Sequence, residues 1–264
     1  MNLSDTSEGS MSVAATRYTH IEGRVCLAYR SDGEKVVSVG TDGELRIWTG
    51  IDDDDCESFL IGDEVLSVAL SDAKIFAGVS GTNVLSGFNW EGESEGVVGP
   101  RLASDVTALA SSADGSSVAA GCGDFSVKVI NTTSFATTNL TGHTAPVLSV
   151  DITSQAELVA SSSCDGSVRL WSLRPDQDIK MCLPNLHPKS NDVPNSPTVA
   201  GLRFSKDGSM LAVPQGKEIE VLSKKFNWGR LGKVKLDLQQ DEMVTCLDWD
   251  SQGSYIIAAS NKVS

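Results

Sequence analysis

Most of the signatures of catalysts and nucleic-acid binders are missing from this sequence. No apolar run approaches the roughly 20 residues that a membrane helix needs. Residues 1–16 are polar and small, without a basic start followed by an apolar core, so a flexible tail is expected there rather than a signal peptide. No phosphate-binding loop, dinucleotide fingerprint, Gly-x-Ser-x-Gly elbow or paired-carboxylate arrangement is present, so no catalytic residue and no cofactor are expected. The three histidines, His20, His143 and His187, have no metal-ligand spacing to one another or to cysteine, and no metal is expected. The six cysteines include no Cys-x-x-Cys pair, and Cys26, Cys122 and Cys246 fall in predicted strands as small apolar residues, so a reducing compartment is the simpler reading. Basic clusters are equally scarce: none is longer than Lys224-Lys225 against a net charge of -14, which disfavours direct nucleic-acid binding. The acidic run Asp52–Asp55 lacks the glycine and the distal carboxylate of a calcium loop and reads as a solvated connection.

What the sequence does have is a repeat. Its fullest copy is Gly142–Trp171: Gly-His, the apolar runs Val147–Ile152 and Leu158–Ala160, the turn Cys164-Asp165-Gly166, then Ser167–Trp171. Asp-Gly between two alternating runs is a strong hairpin signal, so the unit reads as a β-meander of three strands. The phrase returns at Val25, Val65, Val106, Val199 and Val244. With Val147 included, the starts are separated by 40, 41, 41, 52 and 45 residues. That period, with no 3.6-residue pattern inside it, predicts an all-β propeller and not a helical solenoid.

The spacing of Gly-His, Asp and a Trp six residues later resembles the WD repeat, in which four strands form one blade. That resemblance implies a hydrogen-bonded cluster of His143, Asp165, Trp171 and a strand hydroxyl, Ser161 or Ser162. A buried His or Asp is costly unless paired, so the structural role outweighs a catalytic Ser-His-Asp reading. Only the first and fourth copies keep the Trp, at Trp48 and Trp171.

Within this class, the stretches Asp42–Cys56, Ala119–Asn131, Gly142–Ile152, Leu158–Leu173 and Ser190–Val193 are similar to the N-terminal propeller of a replisome adaptor family. That family includes WD-repeat and HMG-box DNA-binding proteins and the fungal chromosome-transmission-fidelity scaffold. The resemblance implies a seven-bladed ring, of which about five and a half blades are present here, spanning residues 17–264 as one domain. It also implies a non-enzymatic nuclear scaffold linking the replicative helicase to DNA polymerase alpha, with the cytoplasm as the alternative location. The family's trimerisation domain and HMG box have no counterpart in this sequence. A WD propeller of another pathway, a ubiquitin-ligase receptor or a transport coat, is the competing reading.

The 52-residue step holds a proline-rich insertion, residues 187–198, whose His187, Lys189, Asn191 and Asp192 are expected to face a partner on the same side as His143. Arg17–Ile21 is placed to be the strand that closes the last blade, and about 60 further residues at the repeat length would complete a seventh. An unclosed ring exposes sheet edges, so the expectation is a truncated propeller. Expressing residues 1–264 alone checks it: soluble aggregates that vanish when downstream sequence is restored are expected, and a monodisperse monomer with one cooperative melting transition would refute it.

Overall fold

The computed structural model describes residues 25–30, 33–49, 56–62, 64–174, 180–183, 201–238, 242, 244–250 and 252–260. Among them, antiparallel strands make five four-stranded sheets and one two-stranded sheet, arranged as propeller blades numbered one to six in chain order. This is the expected count of about five and a half blades. The first strands of the blades are Val25–Tyr29, Val65–Leu70, Val106–Ser111, Val147–Ile152, Arg203–Phe204 and Val244–Trp249. Each packs against the first strand of the next blade, and residues of all six line a common axial channel.

Burial explains the composition of each strand. The second strand of blade four, Leu158–Ser163, is buried at every residue because both of its faces are covered by neighbouring sheets, so small and apolar side chains run without alternation. Outer strands such as Cys56–Leu60 and Thr137–Leu140 are largely exposed and more polar. The core is accordingly a series of seams, each formed by two successive blades. Val37, Leu45 and Ile47 meet Val65, Ile75 and Trp90 between blades one and two. Leu158, Val168 and Leu170 meet Leu202, Leu211 and Trp228 between blades four and five.

The predicted turns form through their aspartates. The carboxylates of Asp114, Asp165 and Asp207 each accept the backbone N–H two residues on, at 3.0, 2.8 and 3.0 Å, closing Asx turns. Glycine usually takes the following left-handed position, but Phe125 occupies it in blade three with φ 71°.

Three features depart from the sequence reading. Blade five has only Arg203–Phe204 in its first strand, and the Phe204 N–H, which faces away from the second strand, donates to the Asp151 carboxylate of blade four at 2.6 Å. A short 3₁₀ turn, Lys224–Phe226, capped by Ser223, interrupts the same blade. It leads through two left-handed residues, Asn227 and Trp228, and this reversal drives the Trp228 ring against Phe204 with centroids 5.8 Å apart. Finally, the first strands of blades two, three, four and six each carry a bulge, which leaves Leu66, Thr107, Leu148 and Thr245 unpaired. The proposed tail 1–16, closing strand Arg17–Ile21 and acidic run Asp52–Asp55 lie outside the described residues.

Seams are tight at the second-strand glycines. A Cβ on Gly121 would lie 2.7 Å from Val147 Cγ1, and one on Gly78 3.1 Å from Val106 Cβ. Gly121→Ala is expected to cost about 1–3 kcal/mol by overpacking. Denaturant melts of Gly121→Ala, Val147→Ala and the double variant check this. The two penalties are expected to be non-additive, because the smaller residue at 147 makes room for the new methyl.

Candidate interaction site

The blade-four cluster assembles from two strands, the turn between them and a loop. His143 precedes the first strand, Ser161 lies on the second, Asp165 forms the turn and Trp171 lies on the third. Asp165 Oδ2 is 3.0 Å from His143 Nδ1, Ser161 Oγ is 2.8 Å from Nε2, and Trp171 Nε1–H donates to Ser161 Oγ at 2.9 Å. An ionised carboxylate only accepts, so Nδ1 carries the proton, and Nε2 accepts from the Ser161 hydroxyl. Strand alternation selects Ser161 over Ser162, whose Oγ is buried without a partner. The Trp171 ring meets the imidazole edge-on at 6.2 Å, and Arg169 sits over its face.

Electrostatics fix one protonation state. Burial pushes the His143 pKa below its usual value despite the pull of Asp165. Burial alone would raise Asp165, but the Ser167 hydroxyl, the amides of Thr144 and Ser167 and the His143 ring prevail and bring it down to about 2. The arrangement has the order of a Ser-His-Asp triad without its access. Ser161 is fully buried, and its oxygen is committed to Trp171.

Blade one keeps half of the cluster, with Trp48 Nε1–H donating to Ser38 Oγ at 2.9 Å. In blade three Lys128 takes the space, bonding Ser126 Oγ at 3.0 Å and approaching Asp124 Oδ2 at 3.4 Å. Lys128 is therefore a largely covered structural cation. His187, Lys189, Asn191 and Asp192 lie outside the described residues. Within those residues, no group of three His, Cys, Asp or Glu is placed to hold a metal.

The sequence reading missed the channel. The fifth residue of each copy is Tyr29, Ala69, Ala110, Asp151, Arg203 and Asp248, and all six line one mouth, a cavity of about 300 Å³. Tyr29 Oη donates across it to Asp248 Oδ2 at 3.0 Å, tying the first blade to the sixth. The other mouth, about 380 Å³, is lined by residues near the strand starts, including the four bulged ones. It opens on the side of the Asp165 turn, since Cys164 N–H donates to Pro146 O at the start of the blade. Aligning the copies by their starting valines and reading down the fifth column would have exposed the first mouth.

A ring of four-stranded meanders with this cluster is matched, over residues 17–264, by the family described as the WDHD1 first WD40 domain. The chain belongs to the WDHD1 WD40 family. It is 34% identical over 250 residues to WD repeat and HMG-box DNA-binding protein 1 of Xenopus laevis, and 32% over 249 residues to that of Homo sapiens. Each alignment covers 92% of this chain and 21% of the relative. A more distant likeness, 26% over 174 residues, covers 65% of this chain and 18% of the periodic tryptophan protein 2 homolog of Caenorhabditis elegans. This WDHD1-type chain thus spans about a fifth of the length of its nearer relatives.

Asp165→Ala removes the partner of a buried imidazole and is expected to cost about 1–3 kcal/mol, with the exposed Thr138→Ala as control. An unchanged denaturation midpoint would show that the cluster contributes nothing. Both pKa displacements are downward, so the folded state declines protons that the unfolded state accepts. The cluster's stabilisation is whole at neutral pH. It weakens first as pH falls below the ordinary His value of about 6.5, and again between about 4 and 2 as Asp165 protonates. His143→Asn is expected to flatten the first of these losses in melts at pH 7 and pH 5.

Proposed function

We propose that this chain is the N-terminal WD-repeat module of a nuclear adaptor for DNA replication and chromosome maintenance. In this reading it is a non-enzymatic surface holding replication factors such as the replicative helicase and DNA polymerase alpha. The observation that carries the reading is the family match over residues 17–264, joined to the WDHD1 relatives at 92% coverage of the chain. The ring architecture adds support: its hydroxyl, imidazole and carboxylate are spent inside blade four, and its loops and channel mouths are left for contacts with other chains. An acidic chain of this charge is suited to protein partners over a phosphate backbone. Residues 187–198 remain the proposed partner-facing loop, on the grounds of their length and proline content.

Tagging the chain in its native context and isolating it from S-phase nuclei checks the proposal. Co-purification of helicase or polymerase alpha subunits is expected, and deletion of residues 190–197 is expected to weaken it. Recovery of cullin adaptors or vesicle-coat subunits in their place would overturn the replication reading, and an unchanged yield after the deletion would remove the loop from it.

A further inference from the structure

The channel holds an arginine with no acid of the described residues at ion-pair distance. Arg203, on the first strand of blade five, lines both mouths, so its side chain occupies the middle of the channel. The sequence has 35 acidic residues against 21 basic ones, yet no carboxylate of the described residues lies within ion-pair distance of Arg203. Asp151 and Asp248 stand at the far mouth, where they serve the Phe204 amide and the Tyr29 hydroxyl. Arg203 Nη1 donates to the carbonyl of Leu202 at 3.3 Å, and its charge favours the ionised form of Asp151 without an ion-pair contact. Among the described residues, no hydrogen bond engages the remaining guanidinium donors.

The space beside that guanidinium is shaped by a glycine. A Cβ added to Gly201 would stand 3.6 Å from Ser149 Oγ and 3.9 Å from Arg203 Nη1. Gly201 has no left-handed φ to require glycine, so what its missing side chain provides is room between a hydroxyl and a guanidinium. The Ser149 hydroxyl is itself without a hydrogen-bond partner and faces the cavity of about 380 Å³. Ser67, only 4% exposed on the same cavity, also has an unpartnered hydroxyl. Hydrogen-bond donors around an unpaired, fork-shaped cation, set in a low-dielectric channel, match a planar oxyanion. A single-file opening among strand starts admits one side chain or chain end, not a duplex.

We propose that this mouth receives a carboxylate from a partner chain, either an aspartate or glutamate side chain or a free C-terminus, with Arg203 as the ion-pair partner and Ser149 as a second donor. The site lies on the same side of the ring as the Asp165 turn. The proposal does not depend on which proteins the chain binds, so its failure leaves the replication reading untouched, and the reverse also holds.

The test uses the ring with downstream sequence restored, selectively labelled with ¹⁵N-glycine and ¹⁵N-arginine and titrated with N-acetylglutamate amide, which offers a side-chain carboxylate, and with N-acetylglycine, which offers a chain-end carboxylate. Sodium chloride at equal ionic strength is the control. Saturable shifts of the Gly201 amide and the Arg203 Nε–H are expected with at least one ligand, and the tighter of the two identifies the source. Gly201→Ala, whose methyl enters at ordinary contact distance, is expected to weaken binding about tenfold while leaving the melting temperature close to that of the parent. Arg203→Gln is expected to abolish it. Shifts that track the chloride control, or a Gly201→Ala affinity equal to the parent's, would overturn the assignment.

Discussion

Everything in this ring depends on how closely one blade can approach the next. Sheets packed face to face stand about 10 Å apart, but blades converge on an axis, so the spacing has to shrink toward the channel. Gly78 and Gly121 are two places where it does so, each admitting a valine of the following blade against its Cα. The valines that open the repeats are thus wedges, and the second-strand glycines are the notches that receive them. In blade four the equivalent position is Ser162, fully buried with an unpartnered hydroxyl, so this seam meets the same constraint with a polar group that nothing satisfies.

The blade-four cluster solves a different problem. The loop that precedes a blade must be tied to the turn between its second and third strands, or the sheet frays at that end. His143 does this by bonding Asp165 on one side and Ser161 on the other. Blade three reaches a comparable result with Lys128 and Asp124, and blade five buries Glu220 against Gln215 and Arg230. Because only blade four relies on an imidazole, only its tie among these three is sensitive near neutral pH.

The meanders were legible in the sequence because Asp-Gly turns and opening valines are local signals, and local chemistry forms them: the Asx turns of Asp114 and Asp165 need only residues two positions away. The cluster was legible as a set of types, but choosing Ser161 over Ser162 required the strand register that puts Ser161 within reach of Trp171 Nε1. The channel was legible only down a column of aligned copies, never in a local stretch. Arg203, Asp151 and Asp248 lie about 50 residues apart in sequence and meet only because five blade-to-blade rotations bring their strands to one axis. Glu220 likewise looked like one more surface acid in an alternating strand, and its burial follows from Arg230 across the sheet. The tie between the first strand of blade five and blade four was hidden for a related reason, since the Phe204 amide and the Asp151 carboxylate that form it lie 53 residues apart.

The bulges in four of the six first strands separate two tasks that a regular strand would combine. Leu66, Thr107, Leu148 and Thr245 take no part in the ladder, and all four line the channel. A change at Leu66 or Leu148 alters the lining of the pore without shifting a pair of the register, whereas the Thr107 and Thr245 hydroxyls also bond second-strand carbonyls. Recognition can therefore drift while the architecture stays constant. Two descendants of one ancestral ring could come to admit different chains through the same opening, with identical folds and unrelated clients.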